Sequence, residues 1–324
     1  MIKSVKLFFP AILFMACFIS SAVFAGQANH ERRQRETLEF SDGDSLSLTN
    51  ISGQVRVSAW DRQECEIVAV KTIREDIPPE KARQWFEKVK VEVKKVSGGV
   101  EVTTKYPDKH IDLDLGFGDS EQPEAYDEER GIIGSWLARL GSFLANLPDA
   151  FSEELAEKYP VEVAYEVRLP RLANVEIDNV LGEVEISGLK GRLETNMVNG
   201  TIKLTGSDGR LETNIVSGEI IVESPGGVVE LNAVNGSLSV TLDDLERLRR
   251  VECYTINGNI TLSLPVGSPA SIELSALSGG VQLDQGFTFK GEIKQKKVSG
   301  VLSGSGGPSI EASAINGSIE VKPL

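Results

Sequence analysis

Three consecutive segments of this chain superimpose without a gap at an offset of 18 residues: Leu193–Leu204, Leu211–Val222 and Val229–Val240. A short fixed period constrains the fold more than any other feature here, because one unit cannot bury its own apolar face and each unit depends on its neighbours. The columns agree position by position. Leu193, Leu211 and Val229 align, as do Val198, Val216 and Val234, then Ile202, Ile220 and Leu238, then Leu204, Val222 and Val240. Glu, Asn, Thr, Lys and Ser stand between them. This alternation has period 2, the pattern of a strand with one buried face. The parity slips once in each copy, beside Asn199-Gly200, Ser217-Gly218 and Asn235-Gly236. Such pairs suit a tight corner, because glycine and then asparagine best tolerate positive φ. Each copy therefore reads as strand, corner, strand, loop.

The expected fold class is all-β. It is a β-solenoid, a single-stranded β-helix-like stack of ~18–22-residue coils, with successive coils ~4.8 Å apart. The gapless offset favours this arrangement over a β-sandwich of successive hairpins. The corner motif recurs beyond the three copies, and the glycines at 182, 200, 218, 236, 258, 279, 300 and 317 mark its stations. One further copy, Ile51-Ser52-Gly53-Gln54-Val55, stands far upstream.

The rest of the chain divides by composition. Residues 1–25 read as a secretory signal peptide: Lys3 and Lys6, an apolar run from Leu7 to Ala16, and Val23-Phe24-Ala25 before Gly26. An uncleaved membrane anchor is the competing reading, and cleavage at the small residues is preferred to it. Lipid attachment at Cys17 is disfavoured, since Phe14 stands where a lipobox carries Leu. Residues 26–37 form a flexible lead and 38–105 an N-terminal β-repeat part, with a short helix near 79–89 announced by Pro78-Pro79-Glu80. Residues 106–158 are an acidic loop plus an amphipathic helix near 132–147, with Ile133, Trp136, Leu137, Leu140, Phe143, Leu144 and Leu147 on one face. That helix is expected to pack on its own protein or a partner rather than on lipid. The acidic loop reads as a solvated segment, because Asp112-Leu113-Asp114-Leu115-Gly116 lacks the spacing of a calcium loop. Residues 159–324 form the C-terminal β-repeat solenoid.

The chain resembles the bacterial family known as the putative adhesins, exported proteins with β-strand repeats. Three stretches carry the resemblance: Ile51-Ser52-Gly53-Gln54-Val55-Arg56-Val57 with Trp60-Asp61, Val161 to Pro170, and the succession of Asn-Gly and Ser-Gly corners. It spans most of residues 38–324 outside the insert. It implies a non-enzymatic β-repeat protein of the cell envelope, with no catalytic residues to transfer.

Function follows mainly from what the composition disfavours. The net charge is −14, and loss of Lys3 and Lys6 with the leader makes it about −16. Such a surface repels nucleic acid and anionic headgroups unless a basic patch is hidden locally. The expected role is a cell-envelope binding or structural module, periplasmic or at the cell surface. Its partner would be an envelope protein or a glycan, with no cofactor, no bound metal and no integral span after leader removal. Candidate contact residues are those at the corners: Asn199, Ser217, Asn235, Asn257 and Asn316. A turn role alone is the favoured explanation of them, since Asn-Gly serves turns. Alternatives are a carbohydrate-active or acyl-transfer enzyme on a β-helix, or an envelope sensor or regulatory partner. Against acyl transfer, a general-base histidine is wanted in the repeats, whereas His30 and His110 lie outside them. Glu194 and Glu212 share a column, which reads as a solvated face. Cys65 and Cys253 read as a possible pair or as two separate buried thiols.

Overall fold

The computed structural model describes residues 30–73, 77–107, 160–304 and 306–324. The leader, the amphipathic helix near 132–147 and nearly all of the acidic loop lie outside the described residues.

The strands are β1 (His30–Glu39), β2 (Ser45–Trp60), β3 (Glu64–Ile73), β4 (Lys90–Val96) and β5 (Gly99–Lys105) before the insert. After it come β6 (Val161–Pro170), β7 (Asn174–Ser187), β8 (Arg192–Thr205), β9 (Arg210–Glu223) and β10 (Gly227–Thr241). The remainder are β11 (Leu248–Asn257), β12 (Ile260–Leu264), β13 (Ala270–Ala276), β14 (Val281–Leu283), β15 (Phe289–Lys294), β16 (Lys297–Leu302), β17 (Ser309–Asn316) and β18 (Ile319–Pro323). All belong to one 18-stranded sheet that does not close into a barrel. The α-helix among the described residues is α1 (Pro79–Lys88), where the short helix is expected, with proline in its first turn.

The strands β7, β8, β9 and β10 pair in parallel and in register at the 18-residue offset: Val175 opposes Leu193, Leu193 opposes Leu211, and Leu211 opposes Val229. Both arms of each strand keep this register across the corner. The ladder continues through β11 and β12, with Val229 opposite Val251 and Leu238 opposite Ile260. Chain order and spatial order then part company. The rung made by β17 and β18 lies between β11–β12 and β13–β14, because Val251 and Ile272 both pair with Ile310. The other end behaves alike. β2 lies between β7 on one side and β5 with β6 on the other. At each end the chain makes an outermost rung and then, or beforehand, a rung just inside it.

The aliphatic columns are the core. Leu193, Leu211, Val229, Ile202, Ile220, Leu238, Leu204, Val222 and Val240 are each at most 1% exposed. Each such side chain contributes about 1.5–3 kcal/mol by leaving water. Val198, Val216 and Val234 are only partly buried. The fully buried neighbours are Met197, Ile215 and Ala233, so the parity slip falls just after them, as the chain turns.

Corner stacking explains why glycine recurs. A Cβ on Gly200 would stand 1.8 Å from the carbonyl oxygen of Gly182, one on Gly218 1.9 Å from that of Gly200, and one on Gly258 2.0 Å from that of Gly236. Backbone lies directly on backbone there, and φ is +133° at Gly218. The same contacts run from Gly258 to Gly317 to Gly279, reproducing the permuted order. Gly300, expected as a corner, is not one. It lies in β16 opposite Ile272 and Gly291, in an antiparallel extension at the end of the stack. Its Ser-Gly pair copies the motif, but the antiparallel pairing uses it as flat ladder.

Open edges are covered by antiparallel strands: β3 and β1 on β6, β4 on β5, and β16 with β15 on β13. The outermost strands carry charge, including Arg32, Arg33 and Arg35 on β1 and Lys290, Glu292 and Lys294 on β15. Charged outer strands deter edge-to-edge pairing. Helix α1 buries Ala82 and Phe86. Lys71 on β3 fastens its end, donating from Nζ to the carbonyl oxygens of Phe86 and Val89, where a cation suits the negative helix terminus. Among the described residues no helix is long and apolar enough to cross a membrane.

Replacing Gly218 by alanine at a corner is expected to cost about 3 kcal/mol or more, from a backbone clash added to positive φ. Gly206 also has positive φ, but nothing lies within 4 Å of its added Cβ, so Gly206→Ala should cost about 1 kcal/mol. Urea unfolding of the two variants checks the contrast.

Candidate functional site

The stack turns single residues into rows. The five corner positions Asn199, Ser217, Asn235, Asn257 and Asn316 fall into one row, since each opposes the next in the register. All but the half-buried Ser217 are exposed. Asn257 Nδ2 donates to Asn235 Oδ1 at 2.7 Å, and Asn316 Nδ2 donates to Asn257 Oδ1 at 2.9 Å. Part of this row therefore spends its amides on itself, yet leaves a line of polar groups at the rung spacing of ~4.8 Å.

A second row lies on the first arm. Glu176, Glu194, Glu212, Glu230, Glu252, Glu311 and Glu273 oppose one another in succession. This is not the solvated face expected for Glu194 and Glu212, which are 8% and 5% exposed. Glu252 is buried as well, Glu230 and Glu311 are half-buried, and Glu176 and Glu273 at the two ends of the row are exposed. Arginines intervene at one end of the arm. Arg192 pairs with Glu194 at 3.2 Å, Arg210 with both Glu212 and Glu230 at 3.9 and 3.8 Å, and Arg250 with Glu252. Burial is the leading cause that raises the proton affinity of Glu194, Glu252 and Glu311, and the neighbouring glutamates add to it. The arginines oppose that rise.

Beside the glutamates runs a buried amide ladder. Asn196 donates to Asp178 at 3.0 Å, Asn214 to Asn196 at 2.9 Å, and Asn232 to Asn214 at 2.9 Å. The next rung supplies Tyr254 in that row. Its hydroxyl is held protonated chiefly by burial, and further by Glu252 and Glu311. In-register stacking lets Asn196 and Asn214 each donate and accept, whereas Asn232, at the end of the run, donates to Asn214 and its buried Oδ1 lacks a partner among the described residues.

The residues that sequence reasoning missed sit at the rung opened by the insert. Tyr106 and Val161 flank the excursion, and Tyr106 Oη donates to the Val161 carbonyl at 3.0 Å. Behind them Asn50 donates to the Val163 carbonyl at 3.1 Å and to Asn179 Oδ1 at 3.2 Å. Thr104 donates to Asn50 Oδ1 at 3.0 Å and bonds to Tyr165 Oη. Asn50 and Asn179 occupy the inward column that holds Met197 and Ile215 elsewhere, and they satisfy corner carbonyls there. The only sequence signal was an Asn where the repeat wants an aliphatic residue.

Other chemistry-bearing residues lie apart. His30 is at the start of β1, its ring bonded to the Ile77 carbonyl at 3.0 Å, and His110 lies outside the described residues. Cys65 and Cys253 are both buried and unpaired. Burial pushes the Cys65 thiol up to about 12 and that of Cys253 higher still. Among the described residues no group of three His, Cys, Asp or Glu side chains converges as a metal site would.

Replacing Asn214 by leucine leaves Asn196 Oδ1 and Asn232 Nδ2 buried without partners, and should cost about 2–4 kcal/mol. Asn257→Ala, on the exposed row, should stay within about 0.5 kcal/mol. Paired urea melts separate the two. Folded Glu252 holds its proton more tightly than the unfolded residue, so this contribution to stability is present at low pH and is lost as pH rises through the raised value. Wild type should therefore gain stability relative to Glu252→Gln as pH falls from 7 toward 4.5. A gain in the opposite direction would mean that Arg250 outweighs burial.

No protein-family model matches the chain, and no curated protein matches it. Among solved structures it is similar to one described as a putative cell adhesion protein from Clostridium sporogenes, at 14% identity and a TM-score of 0.32, over 91% of this chain and 100% of that one. A putative adhesin from Bacteroides fragilis is 7% identical with a TM-score of 0.27, over 90% and 97%. A putative lipid binding protein from Parabacteroides distasonis is 12% identical with a TM-score of 0.31, over 90% and 97%. At TM-scores this low the likenesses carry no argument about this chain's role.

Proposed function

We propose that the protein is an exported, non-enzymatic β-solenoid of the cell envelope that binds or scaffolds an extended partner along its stacked rows. The observation that carries this reading is the exposed corner row, in which Asn235, Asn257 and Asn316 repeat one polar group at every rung. An extended polymer with a regular repeat, such as a glycan or a stretched peptide, meets such a row at several points at once, and weak contacts add through multivalency. The leader-like residues 1–25 support export. The engagement of Glu194, Glu212 and Glu252 with arginines supports a structural use of these acids, since a hydrolase needs two carboxyls poised around a bond.

The test uses the mature chain. Wild type and the triple variant Asn235→Ala, Asn257→Ala, Asn316→Ala are immobilised and exposed to solubilised envelope extract with chemical crosslinking. Wild type should retain a discrete protein or glycan that the variant loses at least about tenfold. Equal capture removes the corner row from the proposal, and recovery of the native protein in the cytoplasmic fraction removes export.

A further inference from the structure

The strands β1 and β3 set two cations face to face. Arg32 and Lys71 are directly opposed in the antiparallel register, so both side chains leave the sheet on the same side. Like charges directly opposite destabilise a strand pair. Lys71 is 8% exposed, and its ammonium proton is loosened first by burial and then by Arg32. Among the described residues no carboxylate pairs with Arg32, Lys71 or Lys90. The two acids that border the space, Glu87 and Glu92, are engaged elsewhere: Glu87 with Arg83 at 3.9 Å, Glu92 with Lys105 at 2.9 Å and Lys94 at 3.6 Å. Above the cation pair opens a cavity of about 370 Å3, lined on one side by Arg32, Gln34 and Lys71 and on the other by Phe86, Val89 and Val91.

We propose that this cavity binds a small organic carboxylate, with its anionic head between Arg32 and Lys71 and its apolar body against Val91 and the edge of Phe86. Two of the three Lys71 ammonium hydrogens serve the carbonyls of Phe86 in α1 and of Val89 just after it, and the third is left for the ligand. Arg32 is exposed and supplies a planar fork that suits a carboxylate. The cavity size lies at the small end of ligand pockets, and its half-apolar wall fits their usual composition. Glu87 and Glu92 at the border penalise a dianion more than a monoanion, which favours a carboxylate over phosphate. The net negative charge of the chain makes an unneutralised cation pair a local exception, and a bound anion removes the repulsion that the register builds in. This site is independent of the corner row.

Benzoate, the neutral analogue benzyl alcohol and inorganic phosphate are titrated calorimetrically into the mature wild type and into Arg32→Gln. Arg32 is chosen because Lys71 also holds α1. Wild type should bind benzoate saturably, at least about tenfold tighter than benzyl alcohol or phosphate, and its melting temperature should rise with benzoate. Arg32→Gln should lose benzoate binding at least tenfold, while its ligand-free melting temperature stays equal to or above that of wild type. Absence of saturable benzoate binding, equal affinity for the alcohol, tighter binding of phosphate, or unchanged benzoate binding by Arg32→Gln overturns the proposal. So does a fall in the ligand-free melting temperature of the variant, which would make Arg32 a structural residue.

Discussion

Everything in this molecule depends on the close approach of one corner backbone to the next. The carbonyl of each corner glycine lies where the following rung would carry a Cβ, at 1.8 Å for Gly200 and 1.9 Å for Gly218. That contact locks the register, because a slip of one residue would place Asn199 or Thr201 under a carbonyl that only glycine admits. Once the register is locked, like residues stand on like residues throughout the rung, and the aliphatic, amide and carboxylate rows all follow.

Identical stacking helps some side chains and burdens others. Aliphatic columns gain burial from both neighbours. Asparagines inside the run gain a donor and an acceptor each, as Asn196 and Asn214 do between Asp178 and Asn232. Glutamates lose solvent and gain like-charged neighbours, and the arginines at 192, 210 and 250 offset this only where the sequence places them. Threonine is the misfit. Thr195 and Thr213 stand in an inward column between Ile177 and Leu231, and their hydroxyls lack partners among the described residues.

The ends of the stack solve a different problem. A repeat array leaves two unpaired edges, and the chain closes each with antiparallel strands and an outer layer of charge. At one end this device also opposes Arg32 to Lys71 and leaves a half-apolar cavity beside α1.

The sequence by itself determined the all-β class, the unit length, the corner positions other than Gly300, three of the four aliphatic core columns and the short helix after Pro78. These are local or strictly periodic properties, written in the alternation of one unit and the glycine of one corner. It also marked the corner asparagines, and the register made them one row. What only the tertiary structure decided was the order of the rungs at both ends, with β17 and β18 slipped between earlier strands and β2 between later ones. The motif in those rungs is the same whichever neighbour it meets, so no pattern within a unit can specify which unit lies beside it. The corner-like Ser299-Gly300 in a hairpin, the burial of Glu194 and Glu212, and the opposition of Arg32 to Lys71 belong to the same class. Each depends on contacts between segments far apart in the chain, where pairing and packing override local pattern.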